Sequence, residues 1–198
     1  MPYKPLVCCL IALAFALPAR GASLWNPEPG FVPEDARRAV PNNPAPPERV
    51  VPEHVLPPLP ATSEGTIRRV ATREKVAALT FDLCELSTIT TGYDADVIDF
   101  LRARRIPATL FMGGKWMRTH AGRTMQLLAD PLFEIGNHAW AHGNFGIMDE
   151  RNMLEQVRWT QAEYERLREK VLERAAAEGR EAALPEAMRL FRLPYGRC

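Results

Sequence analysis

Six side chains able to do chemistry fall into three short clusters: Asp82 with Glu85, His138 with His142, and Arg192 with Tyr195. Carboxylates and imidazoles are the groups that hold a divalent cation and move protons. In Asn137-His138-Ala139-Trp140-Ala141-His142 the two imidazoles are four residues apart. One helical turn or a tight loop would aim both at a single ion, although the same spacing also suits two surface or capping histidines. An arginine set against Asp82 would hold it ionised and ready to accept a proton; a plain Arg–Asp bridge without chemistry has the same composition.

The elements that must position these groups can be read from the apolar pattern. Val76 to Phe81 is a short, nearly continuous apolar run ending in Asp82, the signature of a parallel strand buried on both faces. A helix from Asp94 to Arg105 follows, with Asp94 as N-cap, Val97, Ile98 and Leu101 on one face, and Pro107 helping to end it. Ala108–Met112 is a second strand, with Gly113-Gly114 as its turn, and Lys115 to Ala129 holds one or two helical pieces. Phe133–Asn137 is a third strand and Leu190–Leu193 a fourth. Between them, Met153, Val157, Thr160, Tyr164, Leu167 and Val171 form one stripe of a helix running from Asp149 to about Gly179, roughly 45 Å if unbroken. Its charges, Glu163, Glu165, Arg166, Arg168, Glu169 and Lys170, read as a solvated face. Strands alternating with helices predict an α/β fold with a parallel sheet. The three polar clusters then sit at the carboxyl ends of three strands, the edge where such folds gather their active sites.

Composition narrows the partners. A chain of 198 residues that is 46% hydrophobic and 25% charged can bury one ordinary core. With Lys+Arg 25 against Asp+Glu 24, it has no field to attract nucleic acid or an anionic membrane surface. Lys4, the apolar run Leu6–Leu17 and the small residues up to Ser23 read as a secretory signal over residues 1–23. That run falls short of the roughly 20 apolar residues that span a bilayer, so no stable anchor remains after cleavage and the chain is exported, to the periplasm or the cell exterior. Cys8 and Cys9 leave with the signal. Residues 24–65 form a proline-rich linker, since eleven of the eighteen prolines lie between Leu24 and Pro60 with no amphipathic face. The folded part spans residues 66–198.

Thr80-Phe81-Asp82, Asn137-His138 through His142, and Phe191-Arg192-Leu193-Pro194-Tyr195-Gly196 together resemble the first three motifs of the polysaccharide deacetylase family (carbohydrate esterase family 4, NodB-like catalytic domain). The resemblance implies a distorted (β/α) barrel, incomplete here with about four of its strands. It also implies a metal-dependent hydrolase that removes acetyl groups from an N-acetylated polysaccharide. By position, Asp82 matches the family's general base, His138 and His142 its metal ligands, Arg192 the arginine that holds the base, and Tyr195 a backbone N–H donor to the oxyanion. The implied cofactor is a divalent metal, with zinc the first candidate, and the implied partner an N-acetylated glycan. Trp116, Trp140 and Tyr195 are candidates to stack on a sugar ring.

Two departures stand out. The family's third metal ligand directly follows the base, and here that position is Leu83, which cannot coordinate. Glu85 is the preferred replacement, as a hard oxygen ligand in a loop that could turn inward, with the Cys84 thiolate its competitor. Cys84 follows the first motif as Cys198 follows the third, so an exported chain could pair them in a disulfide. Secondly, the family's aspartate-tryptophan segment and late general-acid histidine have no counterpart after the third motif. His54 and His120 read as ordinary exposed histidines, poor substitutes for that acid. The sequence thus predicts a chain cut short, poorly stable and of impaired activity. The alternative function is a noncatalytic glycan-binding pseudoenzyme.

Overall fold

The computed structural model describes residues 45–58, 72–86 and 92–196. Three strands, β1 (Thr80–Leu83), β2 (Ala108–Met112) and β3 (Phe133–Asn137), pair in parallel in that order. Parallel neighbours need crossover connections. Helix α1 (Ala95–Arg104) lies between β1 and β2, and α2 (Gly114–Thr119) and α3 (Ala121–Leu128) lie between β2 and β3. Helix α4 (Glu150–Ala177) follows and packs on α2 and α3. This is the α/β organisation the sequence predicts, and β2, β3, α1 and α4 stand within a residue or two of their expected bounds.

The outer strands are less complete than expected. β1 starts at Thr80, and Val76 and Leu79 upstream of it are 68% and 42% exposed, so the apolar run is not buried on both faces. It forms one edge of the sheet, where alternation sorts its side chains: Phe81 and Leu83 pack against the core while Thr80 and Asp82 are exposed. The expected fourth strand contracts to one parallel bridge between Asn137 and Phe191. Around it, Asn137 N–H donates to the Leu190 carbonyl (2.8 Å) and Arg192 N–H donates to the Asn137 carbonyl (2.9 Å). Pro194 lacks a donor N–H, so the ladder cannot continue through it. Among the described residues the sheet therefore has three strands, not four.

Local chemistry sets the helix ends. Asp94 accepts from the Val97 N–H at 3.2 Å, and Arg105 closes α1 in the left-handed conformation (φ 53°). Asp149 caps α4 through the Asn152 N–H at 2.8 Å. The α4 stripe buries Thr160, Tyr164, Leu167 and Val171 as expected. Two of its acids depart from the solvated reading: Glu163 is fully buried and Glu165 is 2% exposed. Glu163 accepts from Arg166 at 3.0 Å. Glu165 accepts the backbone N–H groups of Glu53 and His54 at 2.7 and 3.0 Å. Residues 45–58, read from sequence as linker, thus lie against α4, where Arg49 also donates to Glu169 at 2.6 Å. Extended proline-rich backbone leaves its N–H groups unpaired, and buried carboxylates are strong acceptors for them. The signal and the remainder of the linker lie outside the described residues. No helix among the described residues is long and apolar enough to cross a membrane.

Two outcomes follow from this packing. A Cβ on Gly114 would collide with the Trp140 indole and stand 3.0 Å from the Thr160 Cα, so Gly114→Ala should destabilise by about 1–3 kcal/mol in urea denaturation. The Tyr164 hydroxyl donates to the Pro185 carbonyl at 2.7 Å. Burial, opposed by Arg168 and reinforced by Glu165, pushes this phenol up to about 12. The unfolded chain releases that proton near pH ~10, so the group's stabilisation is intact below pH ~10 and lost as pH rises through the folded value. Urea midpoints over this alkaline range should fall more steeply for the wild type than for Tyr164→Phe.

Candidate active site and metal centre

The β1 end, the segment after β3 and the bridge at Phe191 converge on one cluster. Its central residue is Arg192. One guanidinium nitrogen donates to Asp82 Oδ1 at 2.7 Å and the other to Thr80 Oγ1 at 2.8 Å, while the guanidinium carbon lies 4.0 Å from the Phe111 ring centroid. The Arg192 backbone carbonyl meets His138 Nδ1 at 2.9 Å. A carbonyl can only accept, so Nδ1 carries a proton, and in the neutral ring Nε2 presents its lone pair. That Nε2 lies 3.8 Å from Asp82 Oδ2 and has no hydrogen-bond partner, although the ring is 2% exposed. A histidine tied to a carbonyl through one nitrogen and bare at the other is the arrangement of a metal ligand with its supporting contact.

The segment from Asn137 to His142 is held from several sides. Asn137 Nδ2 donates to the Val157 carbonyl and its Oδ1 accepts from the Ala139 N–H, both at 2.9 Å. Gln156 Oε1 accepts the Ala141 N–H at 2.9 Å. The N–H groups of Gly114 and Lys115 donate to the Ala139 and Trp140 carbonyls at 3.1 and 2.9 Å. This clamp turns the chain tightly enough that Ala139 and His142 adopt φ of 64° and 53°, and Tyr195 opposite adopts 59°. Three of the four positive-φ non-glycine residues described therefore gather at this cluster, each at a cost of about 1–3 kcal/mol.

His142 stands with its ring centroid 5.0 Å from that of His138 and 4.5 Å from that of Tyr195. Its Nδ1 is buried without a hydrogen-bond partner. Burial, aided by His138 and opposed by Asp82, holds its pKa below the usual imidazole value, which favours the neutral, ligating form. The third donor here is Cys84: its Sγ and one nitrogen of each imidazole lie within 4.8 Å of one another. Burial, then Asp82 and Glu85, push the Cys84 thiol up to about 11, so in the metal-free site it keeps its proton. Two imidazoles with bare buried nitrogens beside a sulfur are a donor set that suits a divalent ion of zinc type.

Several sequence expectations need correction. Glu85, the preferred third ligand, is fully buried and points elsewhere: it accepts from the Thr119 hydroxyl at 3.0 Å and pairs with Lys115 Nζ at 3.5 Å and His120 Nε2 at 3.6 Å. His120 is accordingly no exposed histidine; its side chain is 9% exposed and its ring stacks 4.7 Å from Trp116. His54 is half-buried against Glu165. Trp116 and Trp140 are core residues with essentially no exposed surface, which removes both as sugar platforms, whereas Tyr195 is 55% exposed. The expected bridge from Cys84 falls on Cys198, which lies outside the described residues. The signal that separates Cys84 from Glu85 is strand alternation: past Leu83, residue 84 returns to the face of Thr80 and Asp82, and residue 85 follows Leu83 inward.

The chain belongs to the polysaccharide deacetylase family, whose model matches residues 69–198, a span that contains every residue of the cluster. Among solved structures it is similar to a peptidoglycan deacetylase from Bacillus subtilis at 25% identity, over 64% of this chain and 52% of that one (TM-score 0.46). It is also similar to a peptidoglycan N-acetylglucosamine deacetylase at 23% identity, over 61% and 47% (TM-score 0.45). A pseudoenzyme of carbohydrate esterase family 4 from Bacillus anthracis is 19% identical over 63% and 37% (TM-score 0.42). The chain spans about half the length of the first two and less of the third. No curated protein matches.

The Arg192 carbonyl contact dictates the His138 tautomer. Long-range nitrogen–proton NMR spectra of the metal-free protein should show His138 with Nδ1 protonated and Nε2 bare; the opposite pattern would contradict the site geometry.

Proposed function

We propose that this chain acts in a metal-dependent hydrolase that removes acetyl groups from an N-acetylated polysaccharide outside the cytoplasm. The observation that carries the reading is the joint placement of an arginine-held carboxylate, Asp82, 3.8 Å from the bare Nε2 of a buried histidine. Family membership supports the same chemistry.

In this reading His138 and His142 hold the divalent ion, and Asp82 takes a proton from the attacking water. A bound divalent ion would polarise the acetyl carbonyl and make that water more acidic. Attack forms a C–O bond, and the amide C–N bond breaks as the proton held by Asp82 passes to the leaving nitrogen, giving a sugar amine and acetic acid, which ionises to acetate. Arg192 directs Asp82 through Oδ1 and leaves Oδ2 on the His138 side, so the base is oriented where the water must lie. Asp82 is 40% exposed, which leaves it open to solvent and substrate. Tyr195, whose ring lies 4.5 Å from that of His142, takes in this reading the family role of a backbone N–H facing the developing oxyanion. The contacts from the 114–115 and 156–157 backbone and side chains keep the imidazoles fixed, so little reorganisation is required at the moment of reaction.

A noncatalytic glycan-binding form is the second reading, motivated by Leu83, whose side chain packs against the core and offers no ligand. Metal content and acetate release from an N-acetylglucosamine oligomer separate the two. Asp82→Asn should keep the metal and lose about 10²–10⁴-fold in rate, whereas His138→Ala should lose both metal and rate. Stoichiometric metal with no acetate release from the wild type would favour the binding form, and a folded wild type that takes up no metal would refute the hydrolase reading.

A further inference from the structure

We propose that Cys84 supplies a thiolate as the third protein ligand, giving a Cys-His-His centre that prefers zinc over hard cations such as magnesium and manganese. This rests on the reading of His138 and His142 as metal ligands made above. Three observations carry it. The Cys84 sulfur and both imidazoles present donor atoms within 4.8 Å of one another. His138 also carries a polar atom, Nε2, without a hydrogen-bond partner on a side chain that is 2% exposed. The two neighbours that might compete with Cys84 are committed elsewhere: Leu83 to the core and Glu85 to Lys115, Thr119 and His120.

The geometry is within reach of a tetrahedral ion. Bond lengths of about 2.3 Å to sulfur and 2.0–2.1 Å to nitrogen place such donors about 3.3–3.6 Å apart. Closing from the present separation asks for movements on the order of 1 Å. Cys84 lies just past the end of β1, so a short turn of coil rather than a paired strand makes the adjustment. Close approach is already built in at Gly113, where a Cβ would stand 3.3 Å from the Ala139 carbonyl oxygen and 3.5 Å from the Cys84 Cα. Three protein donors leave the fourth position open, the pattern of catalytic rather than structural zinc sites. A thiolate is a soft donor, so replacing an oxygen ligand with Cys84 moves the preference away from hard cations and toward zinc.

The test is cobalt titration of the metal-free chain under reducing conditions, followed by optical absorption. The wild type should bind one equivalent and develop a near-ultraviolet thiolate-to-cobalt charge-transfer band together with visible ligand-field bands. Cys84→Ser should abolish the charge-transfer band, and Cys84→Ala should weaken cobalt affinity by about 100-fold or more, a larger loss than removal of a supporting contact causes. Cys84→Asp should restore binding without the band and shift preference toward manganese. Ligand-field bands that vanish in His138→Ala but are unchanged in Cys84→Ala, with no charge-transfer band in the wild type, would overturn the Cys84 assignment and leave the histidine site standing. A folded wild type that binds no cobalt would overturn both. Mass spectrometry after alkylation without reductant gives a further check: a Cys84 protected in a disulfide with Cys198 would also overturn the assignment.

Discussion

The site depends on the two ends of one residue. The Arg192 guanidinium holds Asp82 from one side and the Arg192 carbonyl holds His138 from another. The residue is itself set in place by the backbone hydrogen bonds that tie Leu190 and Arg192 to Asn137. Carboxylate and imidazole are therefore registered against each other through a single backbone position. A guanidinium spanning Asp82 and Thr80 fixes a direction that a lysine, with one point charge, would not. Because the carbonyl contact is made by the main chain, it survives any side-chain change at 192, so orientation of the carboxylate and orientation of the imidazole are separable properties of the same residue.

The rest of the fold serves this registration. β2 is the central strand and brings Met112 to His138, whose N–H donates to the Met112 carbonyl at 3.0 Å. Helix α4 lends the Val157 carbonyl and the Gln156 side chain to the loop carrying the imidazoles. Helix α2 begins on two glycines because the loop carbonyls and the Trp140 ring approach its first turn too closely for larger residues. The buried cluster of Glu85, Lys115, Thr119 and His120 then anchors the coil after β1. A removed partner would leave an uncompensated buried charge, so the cluster resists local opening next to the site.

Much of this is legible in the amino-acid sequence. Apolar periodicity and capping mark β2, β3, α1 and α4, and Asp82, His138, His142 and Arg192 stand out by type and position. The differences have physical causes. Val76 to Leu79 has the composition of a buried strand, but it precedes a sheet edge and burial depends on neighbours that composition does not specify. Glu163 and Glu165 read as solvated because a helix charge pattern cannot show which carboxylate another segment will cover. Donor hardness favours Glu85 over Cys84, whereas the period of the strand turns Glu85 toward Lys115, Thr119 and His120. The His120 environment is made by a contact with Glu85, far away in sequence, and no local pattern marks it.

Among the described residues β1 is at once an edge strand of the sheet and the strand that carries Asp82. The surroundings of that carboxylate are therefore tied to how the edge is bounded. A segment laid along β1 would exclude water from beside Asp82, lower the local dielectric and strengthen its pairing with Arg192, whereas an open edge keeps the group hydrated and its ion pair screened. Strand pairing and the strength of the Asp82–Arg192 pair are in this way two consequences of one boundary.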